Sequence, residues 1–184
     1  MKNKGYKQWN GLRMAWLMLC ATFIILQSSI LISCSSIDCP AENKVAMVYV
    51  AKKSNGTNDT IVDTLTILSK RANGTDTTIY NPLLNNSVLT TTFQLPVGYT
   101  SPEDTLVFCL KDTATKLTYY DTLYIKKENE PHFESVDCNI AYFHTITATR
   151  LSSHNVIDSI AINKRAVNYD LSTEHFHIYF KARH

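Results

Sequence analysis

Thr105-Leu106-Val107-Phe108-Cys109-Leu110-Lys111 and Thr118-Tyr119-Tyr120-Asp121-Thr122-Leu123-Tyr124-Ile125-Lys126 flank the polar stretch Asp112–Leu117. Both runs are rich in β-branched and aromatic residues, which fit a pleated surface, and the stretch between them has turn composition. The same alternation extends in both directions. Strands are predicted near Val45–Ala51, Thr60–Ser69, Thr75–Tyr80 and Val88–Leu95, and again near His132–Val136, Tyr142–Leu151, Val156–Asn163 and His175–Lys181. Asn73-Gly74 marks a tight hairpin, because such turns need positive φ, and Asn55-Gly56 marks a second turn in a longer loop. No sustained helical stripe follows the leader. The predicted class is all-β: an immunoglobulin-like β-sandwich extended by a C-terminal group of strands.

The leader is a different kind of sequence. Lys2, Lys4, Lys7 and Arg13 precede an apolar run from Met14 to Leu26, and Leu31-Ile32-Ser33-Cys34 closes the segment. A charged start, a short apolar middle and a small residue at the cut are the marks of an export signal. The closing tetrapeptide resembles the lipobox of bacterial lipoproteins, which implies cleavage after Ser33 and acylation of Cys34. The rival reading is an uncleaved transmembrane helix, since no charge falls between Arg13 and Asp38. Its serine-rich second half and short apolar core speak against a span. The predicted organisation is a signal peptide over 1–33, a tether over 34–43, a sandwich over 44–127 and a C-terminal β unit over 131–184. The charged stretch Lys126–Pro131 joins the last two.

Four of the 18 basic residues lie in the leader, so the mature chain carries 14 against 16 acidic residues. That balance offers no basic face and gives no reason to expect nucleic acid. After cleavage, Cys39, Cys109 and Cys138 remain beside Cys34. Export permits a disulfide, and three thiols allow one bridge with one left over. Cys39 and Cys138 each follow an aspartate in an irregular segment and are the favoured pair. Cys109 lies in a strand pattern, where a free thiol acts as a small hydrophobe. Closing a loop of about 100 residues is worth ~4–5 kcal/mol in the chain-entropy description.

Aspartate followed by Thr or Ser and an uncharged residue recurs at Asp59, Asp63, Asp76, Asp104, Asp112, Asp121 and Asp158. Strand starts alone explain much of this, because aspartate suits turns and threonine suits strands. The tripeptide also resembles the O-glycosylation acceptor of exported Bacteroidota proteins, which implies Thr60, Thr105 and Thr113 as acceptors. The Asn-X-Ser/Thr sequons at Asn55, Asn58, Asn73 and Asn85 are read as turn chemistry.

No phosphate loop, nucleophile elbow or zinc-binding helix occurs, so no catalytic residue and no cofactor is assigned. His175 and His177, two apart on a strand, would share a face and could contribute to a Zn²⁺ site with His144 or His154. The pair is incomplete, and a half-buried strand with a polar outer face is the preferred account. The segments Cys34–Pro40, Phe133–Cys138, Ile157–Ile160 and Glu174–Phe180 together resemble an uncharacterised family of Bacteroidota lipoproteins. That resemblance implies an exported, lipid-anchored β protein. Ser35 after the acylated cysteine, with no acidic cluster beyond it, resembles proteins sorted to the periplasmic face of the outer membrane. The expected function is a non-catalytic binding or structural module with an envelope protein or glycan as partner. The alternatives are a periplasmic carrier of an apolar ligand and a metal-dependent hydrolase.

Overall fold

A computed structural model of the chain describes residues 16–20, 45–73, 77–136 and 138–181. Cys39–His184 forms one compact unit and Met1–Asp38 another, of which a short helix at 16–20 is described. Among the described residues, no helix is long and apolar enough to cross a membrane. The expected cleavage site, Cys34 and Cys39 lie outside the described residues.

Among the described residues, ten strands form two sheets. They are β1 (Ala46–Ala51), β2 (Thr64–Asn73), β3 (Thr77–Ser87), β4 (Thr92–Pro96), β5 (Glu103–Lys111), β6 (Thr118–His132), β7 (Ala141–Leu151), β8 (Ile157–Ile162), β9 (Ala166–Val167) and β10 (Phe176–Phe180). One sheet has the order β4-β1-β10-β8 and the other β3-β2-β5-β6-β7-β9. Among the described residues, β1–β10 is parallel and the other pairings are antiparallel. The chain is an all-β sandwich.

Alternation puts one side chain in two into the space between the sheets. Leu106, Phe108 and Leu110 of β5 and Leu123 and Ile125 of β6 meet Met47, Tyr49, Phe93, Phe176 and Ile178 of the smaller sheet in one buried cluster. Tyr49 stacks between Phe93 and Phe176, with centroids 5.1 and 4.9 Å away, and Phe93 meets Phe108 edge-on at 6.4 Å. That last contact joins the two sheets. Truncating one of these fully buried rings costs about 3–5 kcal/mol in a typical core.

Asn73-Gly74 falls where two strands do pair: Asn73 ends β2 opposite Thr77, while residues 74–76 lie outside the described set. Gly56 has φ +83°, and Asn55 accepts hydrogen bonds from the Thr57 amide and hydroxyl, as the second turn required.

Three expectations need correction. Lys126–Pro131 is no junction, because β6 runs through it to His132. Its ladder with β5 ends at Glu103–Lys126, one further backbone bond running from the Lys127 amide to the Pro102 carbonyl at 2.9 Å, and the ladder with β7 continues alone to His132–Ala141. With one side unpaired, Pro131 costs no ladder bond. The strand expected over His132–Val136 is irregular after His132. The strand expected from Val88 starts only at Thr92, because the chain is still turning out of β3 at Leu89, whose φ is +52°. The C-terminal strands are shared between the sheets, β7 and β9 in the larger, β8 and β10 in the smaller.

Candidate functional site

The inward stripes of four neighbouring strands turn polar at the same end of the larger sheet. On β5 the stripe Leu110, Phe108, Leu106 ends in Asp104, and on β6 the stripe Leu123, Ile125 gives way to Lys127 and Asn129. A bulge between Lys126 and Lys127 accompanies the change. β7 contributes buried His144 opposite Asn129, and β2 contributes Ser69 and Arg71 on the same side. The smaller sheet stops covering this end where β4 ends at Pro96. The connection from β4 to β5 folds over the exposed polar groups instead.

That connection is tied down from below. Lys127, whose side chain is 0% exposed, lies 3.1 Å from Asp104 and donates to the Ser101 carbonyl at 2.9 Å. The Asn129 amide donates to the carbonyls of Ser101 (3.0 Å) and Tyr99 (3.1 Å). Because the Asn129 nitrogen is spent on these, its oxygen accepts from His144 Nδ1–H at 2.8 Å. His144 is thereby a neutral donor. Burial and the nearby Lys127 charge lower its pKa from 6.5 to about 4. Gly98 donates to Asp104 at 3.4 Å, and a Cβ there would lie 2.9 Å from the carboxylate, so glycine permits the approach.

Between this connection and strands β2 and β3 lies a cleft of about 470 Å³, lined in part by Ser69, Arg71, Leu83, Gly98, Asp104 and Leu106. Beside Glu103, Asp104 is a half-buried carboxylate of its wall. Burial raises its pKa, and Lys127, the Gly98 amide and the Arg71 charge pull it down without cancelling that rise. With Glu103 and Lys70 also on its lining, the cleft offers hydroxyls, two carboxylates, an ammonium and a guanidinium around a small apolar floor. A second, more open hollow of about 670 Å³, edged by Lys52, Asp59, Asp158 and Tyr179, lies elsewhere.

The residues singled out by sequence end in different places. His175 is fully buried, and its Nδ1 accepts from the Val48 amide at 3.0 Å while Nε2 faces the Ala166 carbonyl at 3.2 Å. It is a neutral staple between β1 and β9, and burial lowers its pKa. Both nitrogens are thus committed to backbone. His177 pairs with Glu174 at 2.8 Å, His144 with Asn129, and His154 with the carbonyls of Ile157 and Asp158. Among the described residues no group of three or more metal-ligating side chains assembles.

Thr60 is exposed, its hydroxyl 3.0 Å from that of Thr91. Thr113 is exposed but donates its hydroxyl to Asp63 at 3.1 Å. Thr105 is no loop residue: it stands within β5 opposite Tyr124, half-buried. Cys109 is a free thiol whose pKa is raised by burial. Cys138 is buried and disulfide-bonded, and its partner is not among the described residues.

Sequence reasoning passed over Lys127, Asn129 and Arg71, and it took Asp104 for a strand-start aspartate. The available signal was the alternation Lys126-Lys127-Glu128-Asn129-Glu130, which continues the period of β6 once that strand is extended.

A family model matches residues 64–180 of this chain. The protein belongs to the DUF6452 family. It is a family of unknown function. The DUF6452 match begins on the first residue of β2 and ends on the last of β10, so it contains the whole polar cluster and the cleft. It leaves out β1, which nonetheless sits between β4 and β10 and supplies Tyr49. No curated protein and no solved structure matches the chain.

Proposed function

We propose that this protein is a lipid-anchored envelope module that binds a polar partner, without catalysis, through the cleft beside Asp104. In this reading the leader is removed, Cys34 is acylated, and the sandwich faces the periplasm from the outer membrane. Cys39 is the partner of Cys138, so the anchor segment is covalently fastened to the domain. The carrying observation is the cleft: Arg71, Asp104 and several hydroxyls line a concavity roofed by a latched loop. Such a lining, convergent polar groups over a small apolar floor, suits a ligand with its own donors and acceptors. It favours a peptide segment or glycan of the envelope over an apolar cargo. The middle of the sandwich is occupied by the Tyr49, Phe93, Phe108 and Phe176 rings.

A photoreactive amino acid placed at Thr100, on the cleft rim, tests the binding reading in the native envelope. A discrete adduct is expected that disappears with Arg71→Glu and is absent when the probe is moved to Leu117. Identical adducts from all three proteins would refute it. Labelled palmitate entering the wild-type chain but not Cys34→Ala tests the anchor separately.

A further inference from the structure

We propose that the connection between β6 and β7 dips into the bilayer interface, presenting Phe133, Val136 and Ile140 to lipid. This inference rests on the anchored reading above and adds the face by which the domain meets the membrane. Connections usually keep large apolar side chains inward, and this one, beside exposed Glu134 and Asn139, turns three of them outward. Phe133 is 59% exposed, Val136 86% and Ile140 54%, while Ser135 and Cys138 are buried at 8% each. Three apolar side chains thus project from a short hairpin loop whose ends, His132 and Ala141, are paired.

What covers them follows from covalent geometry. Cys138 is disulfide-bonded, and Cys20 and Cys109 are free, so its partner is Cys34 or Cys39. An acylated Cys34 thiol cannot form a disulfide, which leaves Cys39. Five residues span at most about 18 Å, and the Cα atoms of a disulfide lie about 5.5 Å apart. The acyl chains therefore enter the bilayer within roughly 25 Å of Cys138, between the three exposed apolar residues. A hairpin held so close to the anchor can reach the headgroup–acyl boundary. At its base Tyr99, itself exposed, stacks on Tyr142 at 4.4 Å, and amphipathic rings of this kind favour that boundary. No Lys or Arg occurs from His132 to Tyr142, and the charged residues of the stretch are Glu134 and Asp137, so the apolar side chains supply the contact and anionic lipid does not strengthen it.

The two tryptophans of the chain, Trp9 and Trp16, lie in the leader, and the mature protein has none. Val136→Trp and Phe133→Trp each give the processed full-length lipoprotein a single fluorophore in the loop. Leu117→Trp does the same at the opposite end of β6, about 50 Å away for a strand of this length. All three are reconstituted into phosphatidylethanolamine–phosphatidylglycerol vesicles with and without brominated acyl chains. Emission from Val136→Trp and Phe133→Trp is expected to shift to the blue and be quenched by bromine, equally at low and high salt. Leu117→Trp is expected to keep an aqueous spectrum. Loop variants that float with vesicles but escape quenching, or quenching of Leu117→Trp alone, overturn the inference and leave the anchor intact. Protein that lacks acyl mass and fails to float removes the anchor and this inference together.

Discussion

Asp104 and Asp121 stand on neighbouring strands, toward opposite ends of the larger sheet, and each holds down a loop. Asp121 is buried and accepts from Ser153 Oγ (2.6 Å) and the amides of Asn155 (2.9 Å), Val156 (2.7 Å) and Ile157 (2.8 Å). Burial raises its pKa, but these four donors outweigh burial and leave it below the usual carboxylate value. Asp104 has one ammonium, one long amide contact and an exposed side, and burial wins, leaving its pKa raised. Preorganised backbone donors stabilise a buried charge more completely than a single counter-ion does, since the ammonium also loses its own hydration. One carboxylate is saturated and closes a loop. The other retains free acceptor capacity and faces a cleft.

The most severe way to probe this contrast is Asp121→Ala. Buried amides at Val156 and Ile157 lose their acceptor together, and we expect a loss of about 4 kcal/mol in denaturant unfolding. A loss below about 1 kcal/mol would mean that the loop between β7 and β8 finds other acceptors and that the carboxylate is dispensable.

Acid should act next, and chiefly at the Asp104 end. His144 has a folded pKa lowered from 6.5 to about 4, so the unfolded chain binds the extra proton between those values. Stability from this group is present above pH 6.5 and lost as pH falls toward 4, up to about 3 kcal/mol. His175, also lowered, adds a slope of the same sign. His144→Gln should flatten the stability profile in that window, and an unchanged slope would show His144 to be solvated. The two aspartates act in opposite senses, Asp104 above the unfolded carboxylate pKa and Asp121 below it. Asp121, with its lowered pKa, loses stability as pH falls through its folded value. Asp104, with its raised pKa, regains stability as it protonates.

Lys127→Met should cost about 2 kcal/mol, less than a sealed pair would, because Asp104 is 19% exposed and can protonate or hydrate. Adding Asp104→Asn should recover part of that loss, and the double-mutant cycle measures the coupling. Strict additivity would show that the 3.1 Å pair contributes nothing. The smallest stability effect is expected for Arg71→Ala, within about 0.5 kcal/mol, as for most exposed positions. Ligand capture by the cleft should nevertheless fall with it. Unimpaired capture would move the binding surface elsewhere.

Much of the sandwich could be read from residue pattern. The alternation in β5 and the first half of β6 gave both strands and their inward faces, because burial on one side of a pleat writes itself as a period of two. The extension of β6 through Pro131 was not legible, since a proline is compatible with a strand only where a neighbour is missing, and that is a fact about β5 ending at Glu103. The site was harder still. Asp104 belongs to a tripeptide that occurs at six other places, and Lys127 looks like one charge in a charged run. His175 looked like an outward-facing partner of His177, yet its ring is committed to the backbone of two other strands.

The amino-acid order alone settled that this chain builds sheets, where most of its strands and turns fall, and that a basic and then apolar stretch precedes them. Only the tertiary structure decided that β1 enters between β4 and β10, that β6 outruns β5, and that four inward stripes lose their apolar character at one end. Local preference acts within a few residues and is recorded locally. Burial of Lys127 against Asp104 depends on which strands come to lie beside each other and where the covering sheet stops.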